Sequence, residues 1–145
     1  MDVSDGVNCL HFTKIHSIRE PLIIAGGNCS ITGFDSNGSE AFWTVAGDNV
    51  RSLESVDIDF DGQHELIVGS DDYSIRMFKH EELIFDIKES ATVNFLSRIE
   101  RAFFGFGLGN STLGVYNGSA KKWKVKCDNT ITALKGVNQD INGNY

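Results

Sequence analysis

Residues 65–87 read ELIVGSDDYSIRMFKHEELIFDI, and this stretch decides the fold. An apolar strand runs into Gly69, a polar turn follows, and the alternating strand SIRMF ends on the aromatic Phe78. A second turn leads to an outer strand centred on Phe85. Alternation in SIRMF (Ser74 and Arg76 on one face, Ile75 and Met77 on the other) fits a strand packed on at least one face. The same layout recurs on both sides. Residues 21–45, PLIIAGGNCSITGFDSNGSEAFWTV, carry it through Gly26, Phe34 and Trp43, and residues 102–125, AFFGFGLGNSTLGVYNGSAKKWKV, through Gly107, Tyr116 and Trp123. The three glycines stand 43 and then 38 residues apart, a period near 40.

Each repeat also opens with a short extra strand: VNCLHFT from Val7, VRSLESVDI from Val50 and TVNFLS from Thr92. Four strands at that period is the layout of a propeller blade. A blade has two apolar faces that it cannot bury alone, so neighbours must stack. A fourth unit opens at Ile131 with ITALKGVN and stops at Tyr145, inside its first turn. The expected fold is therefore all-β: a partial β-propeller of about three four-stranded blades plus the start of a fourth. It forms one domain over 1–145, with blade repeats at approximately 7–49, 50–90, 91–130 and 131–145, the last incomplete. Fifteen glycines, ten phenylalanines and one proline suit many short strands joined by tight turns. Helix is not expected anywhere beyond a short stretch such as HEEL.

Charge excludes some partners. With 13 basic and 20 acidic residues the net charge is −7, which argues against nucleic acid, whose binders need a basic face to displace counterions. It also argues against docking on an anionic membrane by charge alone. No apolar run approaches the roughly 20 residues of a membrane span, so direct membrane insertion is not expected. The start, MDVSDGVNCL, lacks the basic and apolar regions of a signal peptide. Cys9, Cys29 and Cys127 are an odd, widely spaced set, which speaks against a disulfide framework or a zinc site and for a reducing compartment. Glycosylation triplets begin at Asn28, Asn37, Asn110 and Asn117. Turns rich in Asn, Gly and Ser produce such triplets by chance.

The sharpest chemical signal is DIDFDGQHEL. Asp57, Asp59, Asp61 and Glu65 occupy loop positions one, three, five and nine, with Gly62 permitting the sharp turn. Oxygen ligands at that spacing can wrap a hard cation, which makes these four residues the candidate metal set and Ca2+ the candidate ion. No cofactor is otherwise required. The loop is not an EF-hand, because position twelve is Val68 and no helices flank it. It lies in the hairpin between the first two strands of its blade, where calcium-binding loops of integrin-α type look similar. Alternatively, the acids cap a tight turn by accepting backbone N–H bonds. A weaker echo, Asn138-Gln-Asp140-Ile-Asn142-Gly143, follows in the fourth unit.

No catalytic set emerges. His11, His16, His64 and His80 fall in different elements with no shared face, and each reads as a surface or turn residue. There is no Gly-x-Ser-x-Gly elbow and no Walker-type loop. The glycines of Phe104-Gly-Phe-Gly-Leu-Gly lie within a strand, where they permit close approach near the propeller axis rather than cradle a phosphate. Trp43 and Trp123 read as packing residues between blades.

The stretch IIAGGNCSITGFDSNGSEAFWTVAGDNVRSLESVDIDFDGQHELIVGSDDYSIRMFK, with GNSTLGVY, the Trp123 strand and NQDINGN after it, resembles the N-terminal β-propeller of the Bardet–Biedl syndrome protein 2 family. The likeness runs from about Asp5 to Tyr145. It implies a scaffold subunit of the BBSome, a coat-like complex that moves membrane proteins into and out of cilia. Implied partners are the sibling propeller subunits and, through the whole complex, a small Arf-like GTPase and cargo tails. The implied location is the cytoplasm, the cilium and its base, peripheral to the ciliary membrane. The family's propeller is a full ring with further domains, so the resemblance implies an internal excerpt. Bare blade faces at both ends of such an excerpt predict self-association or marginal stability when it stands alone.

Two other classes compete with this non-enzymatic reading. One is an extracellular, integrin-like calcium-binding propeller, against which the cysteines and the missing signal peptide count. The other is a quinoprotein enzyme, because GFDSNGSEAFWTV resembles the repeats that surround pyrroloquinoline quinone, although only one repeat fits. The WD dipeptide is absent throughout.

Overall fold

The computed structural model describes residues 6–16 and 18–136. These residues form twelve strands and no helix. In chain order they are β1 (Cys9–Thr13), β2 (Leu22–Gly26), β3 (Ser30–Phe34), β4 (Glu40–Val45), β5 (Val50–Val56), β6 (Glu65–Ser70), β7 (Ser74–Lys79), β8 (Glu82–Lys88), β9 (Val93–Glu100), β10 (Phe103–Leu108), β11 (Thr112–Asn117) and β12 (Ala120–Lys126). They make three four-stranded sheets, β1-β2-β3-β4, β5-β6-β7-β8 and β9-β10-β11-β12, each paired antiparallel in sequence order. Consecutive strands pair because the turns between them are short and polar, which leaves a meander as the simplest connection. HEEL forms the β7–β8 turn and the first residues of β8 rather than a helical stretch.

The sheets stack through two apolar seams. Leu22, Ile24, Ile31 and Phe42 of the first sheet meet Leu53, Leu66, Val68 and Phe78 of the second. On its other face the second sheet sets Val56, Ile67, Ile75 and Met77 against Val93, Leu96, Phe104, Phe106 and Tyr116 of the third. Complete burial of Ile67, Ile75, Met77, Phe104 and Phe106 contributes about 1.5–3 kcal/mol for each side chain. The first strands of successive sheets lie against one another, β1 on β5 and β5 on β9, as blades converging on a shared axis require.

The glycine that ends each inner apolar strand has a repeated job. A Cβ at Gly26 would stand 2.4 Å from Val50 Cγ1, one at Gly69 would stand 2.6 Å from Val93 Cγ1, and one at Gly107 would stand 3.4 Å from Ile131 Cγ2. In every case the intruding residue is 24 positions further on and opens the next repeat. The glycine is thus the seat for the next blade's first strand. This locates the close approach foreseen for the glycines around Phe104, since Gly105 and Gly107 face Leu134 and Ile131. Polar ties repeat as well: Cys9 Sγ donates to the carbonyl of Val50 at 3.9 Å and Ser52 Oγ to that of Val93 at 2.9 Å. Burial pushes the Cys9 thiol up to about 11, which leaves it protonated and unreactive at neutral pH.

Two expectations need correction. The tryptophans are not equivalent. In each sheet the ladder between third and fourth strands slips by one residue at the same place, between Gly33 and Phe34, Met77 and Phe78, and Val115 and Tyr116. The slip is shared, but the β3–β4 connection is one residue longer than its counterparts (Phe34 pairs with Glu40, Phe78 with Leu83, Tyr116 with Lys121), and this aligns Phe42, not Trp43, with Phe85 and Trp123. One residue of displacement turns a side chain to the opposite face. Trp43 therefore lies with Leu10, Phe12 and Ile23 on the leading face of the first blade, and Trp123 on the trailing face of the third. On these two outer faces they are 48% and 50% exposed. SIRMF is packed as expected, and on both faces, so that Ser74 is as buried as Ile75 and Met77. The second correction is that residues 131–136 form no strand, although Gly136 N–H donates to Ser97 Oγ on the third sheet. The acidic echo from Asn138 lies outside the described residues.

Candidate functional site: the acidic hairpin of the second blade

The β5–β6 turn gathers three of the four acids named as metal ligands. Phe60 and Gly62 adopt φ of 61° and 84°, which curl the chain back on itself. The curl brings carboxylate oxygens of Asp57, Asp59 and Asp61 within 4.8 Å of one another. Asp57 accepts from Asp61 N–H at 3.1 Å and from Gly62 N–H at 2.9 Å. Asp59 Oδ1 accepts from Asp61 N–H at 3.3 Å, and Asp61 Oδ1 accepts from Gln63 N–H at 2.8 Å. These bonds are the turn caps that Asp side chains make for free backbone donors.

Glu65 opens β6 and points inward, with its carboxylate fully buried. Its Oε2 accepts from Ile58 N–H at 2.8 Å, whereas Oε1 accepts no hydrogen bond. Burial pushes this carboxyl above its usual range, the Ile58 bond opposes that, and the negative charges of Asp59 and Asp61 add to it.

Sequence reasoning missed the residue that faces three of the four acids. Lys79, at the end of β7, sets its Nζ 2.6 Å from Asp59 Oδ2, 3.4 Å from Asp61 Oδ2 and 3.9 Å from Glu65 Oε1. The hydrogen bond from Lys79 holds Asp59 below its usual range, and the same bond raises Lys79. The signal was available in the hairpin register: β6 and β7 pair Leu66 with Phe78, so the residues flanking that pair, Glu65 and Lys79, are cross-strand neighbours.

The histidines also depart from expectation, because they meet. His16 is 4% exposed; its Nδ1 accepts from His80 N–H at 3.0 Å and the two rings lie 5.0 Å apart. Burial, then the charges of His80 and Lys79, push His16 down to about 4. On the same edge, His11 Nε2 lies 3.1 Å from Glu54 Oε1 and His64 Nδ1 lies 3.0 Å from Arg98 Nη1. Burial, then the Arg98 charge, lowers His64. Ser55 Oγ stands 3.4 Å from His64 Nδ1 and 2.8 Å from Thr13 Oγ1. This resembles a nucleophile beside a base, yet Ser55 is only 1% exposed, so no substrate carbonyl can reach its hydroxyl. The third blade has its own polar knot, in which Tyr116 OH donates to the buried Glu89 and Lys121 Nζ lies 3.0 Å from the same carboxylate. Its residues join β8's end to β11 and β12, which makes it a brace.

Comparison with known proteins agrees with this picture of packed sheets. The family described as "Ciliary BBSome complex subunit 2, middle region" matches residues 52–145. The zebrafish (Danio rerio) "BBSome complex member BBS2" is 42% identical over 142 residues, 98% of this chain and 20% of the relative. The mouse (Mus musculus) protein of the same description is 43% identical over 97% of this chain and 19% of its own length. The Caenorhabditis elegans "BBSome complex member bbs-2" is 35% identical over 92% of this chain. The chain thus spans about a fifth of the length of the curated relatives it matches. Among solved structures, the crystal structure of BBS1N in complex with ARL6DN, soaked with mercury, superposes with a TM-score of 0.76 at 16% identity, over 93% of this chain and 44% of that one. That likeness shows the propeller fold alone, and the blade stack agrees with it. Identity above 40% with animal relatives across nearly every strand, together with the family match from β5 onward, leads to one conclusion: the chain belongs to the BBSome complex subunit 2 family.

Proposed function

We propose that these blades are a non-catalytic scaffold module in a subunit of a BBSome-like coat complex. The complex would carry membrane proteins to and from cilia, and the blades would act through protein–protein contacts. The observation that carries this reading is identity with BBSome complex members over 97–98% of the chain. One structural fact supports it: among the described residues, polar groups close on themselves as caps, braces and inter-blade ties.

The proposed partners are the other subunits of the complex, sibling propeller subunits among them. A small Arf-like GTPase and cargo tails would engage the whole complex, a reading supported by a fold neighbour crystallised in complex with ARL6DN. The proposed location is the cytoplasm and the cilium with its base, peripheral to the ciliary membrane. Affinity purification of the full-length protein from ciliated cells, followed by mass spectrometry, tests this. Other propeller subunits should co-purify at fixed ratios. Recovery of the protein alone would overturn the proposal.

A further inference from the structure

The outer edge of the third blade breaks the charge pattern of the chain. β12 reads AKKWKVK and is exposed at every position. It holds four of the chain's 13 basic residues, although the net charge is −7. In its sheet it is the outermost strand, paired with β11 on one side and with no strand on the other among the described residues. The register shows which backbone groups that free side offers. Cys127 N–H donates to the Ser111 carbonyl at 2.8 Å, and the ladder continues as Lys126 with Thr112, Val125 with Leu113 and Lys124 with Gly114. Bonding alternates inward and outward along an antiparallel ladder. The N–H and C=O groups of Lys124 and Lys126 therefore point out of the sheet, unpaired.

Side chains alternate too. Lys121 and Lys124 turn towards the second blade, 3.0 and 3.8 Å from the Glu89 carboxylate, and Lys126 shares the face of Lys124. Trp123 and Val125 lie on the other face, 50% and 51% exposed. Lys122 and Lys126 make no ion pair among the described residues. Lysines on an edge strand also deter wrong pairing. That need is the same for every blade, yet the equivalent outer strands differ: β4 carries no lysine, and β8 carries one beside two acids.

We propose that the free edge of β12 binds an extended acidic segment of a partner protein by strand addition. The segment's main chain pairs with the outward groups of Lys124 and Lys126, and its alternate side chains set specificity. Acids at every second position face the lysines, and apolar residues between them meet Trp123 and Val125. Opposite charges across a strand pair are favourable and like charges are not, so the edge selects acidic over basic segments. The inference deepens the scaffold reading and rests on it for the claim that the occupant is a protein.

The test is a fluorescence-anisotropy titration of the purified full-length protein with a labelled seven-residue peptide that alternates glutamate and valine. A lysine–valine peptide and phosphatidylserine vesicles run beside it. Wild type should bind the glutamate peptide and neither alternative. Lys122→Glu/Lys126→Glu should weaken that peptide about tenfold and take up the lysine peptide instead, an exchange that misfolding cannot produce. Lys126→Pro removes an outward N–H and leaves the inner ladder intact. It should bind about fivefold more weakly than Lys126→Ala, which removes the charge alone. Wild type that ignores the glutamate peptide, or charge reversal that leaves its binding unchanged, would overturn the edge site. Equal affinities of Lys126→Pro and Lys126→Ala would overturn strand addition. Preference for the vesicles would assign the lysines to a lipid surface and overturn the protein occupant. Peptide failure in a protein that still co-purifies with its sibling subunits refutes the edge alone, whereas recovery without them refutes the scaffold reading.

Discussion

Replacing Gly69 by alanine probes the seam between the second and third blades at its tightest point. A Cβ there would meet Ser52 Oγ at 2.3 Å, Val93 Cγ1 at 2.6 Å and the Val93 carbonyl oxygen at 2.8 Å. The serine hydroxyl can rotate, but the carbonyl is backbone, and Ser52 Oγ is already bonded to it. Relieving the clash therefore separates β6 from β9 and breaks a buried hydrogen bond. Overpacking of this kind costs about 1–3 kcal/mol, and a gain of about 0.4–1 kcal/mol from a stiffer unfolded chain offsets part of it. The net loss should be about 1–2 kcal/mol. Gly107→Ala is the matched control, because its nearest neighbours are side-chain carbons of Phe95 and Ile131 at 3.3 and 3.4 Å. There the two effects cancel to within about 0.5 kcal/mol. Hydrogen exchange on the full-length protein, read at the amides of β6 and β9, reports the local opening free energy. A neutral Gly69→Ala, or a Gly107→Ala of equal cost, would refute the seating of each blade in its predecessor's glycine.

Three further outcomes follow from the same packing. Phe104→Ala should destabilise the third blade by about 3–5 kcal/mol, since Phe104 is fully buried and stacked on Tyr116 with ring centroids 5.6 Å apart; protease sensitivity of the β9–β12 region measures it. Tyr116→Phe should cost about 1–3 kcal/mol by removing a donor to the buried Glu89 carboxylate, detectable as faster exchange in β11. His16 is neutral in the fold with a pKa near 4, below its unfolded value of about 6.5. Its contribution is therefore fully present above about pH 6.5 and is lost as pH falls towards 4, by up to about 3 kcal/mol. In denaturant unfolding at pH 7 and pH 4.5, His16→Gln should lose less stability on acidification than wild type, and identical losses would refute the assignment.

What was legible in the sequence follows from what is local and periodic. Gly26, Gly69 and Gly107 mark the blades because each must admit the residue that opens the next repeat, and that constraint recurs in every unit. Asp57, Asp59 and Asp61 are close in sequence, so a single turn brings them together, and their meeting could be foreseen. Trp43 was misread because the β3–β4 connection is one residue longer than its counterparts, which reverses the face, and the extra residue leaves no mark in the hydrophobic pattern when Ala41, Phe42 and Trp43 are all apolar. Lys79 and the pairing of His16 with His80 escaped because both depend on how sheets and hairpins register across space. The His16–His80 contact joins residues 64 apart, and no spacing rule reaches that far.

The central claim is that the proposed scaffold role depends on blades stacked through their glycine seats. The most direct test expresses the full-length protein, wild type or Gly69→Val, in ciliated cells lacking the endogenous protein, and follows each by gradient sedimentation. A valine at Gly69 puts two further methyl groups into a space already too tight for Cβ. Wild type should migrate in heavy fractions with its sibling propeller subunits, and Gly69→Val should be absent from those fractions. Gly69→Val sedimenting with the complex at wild-type abundance would contradict the account.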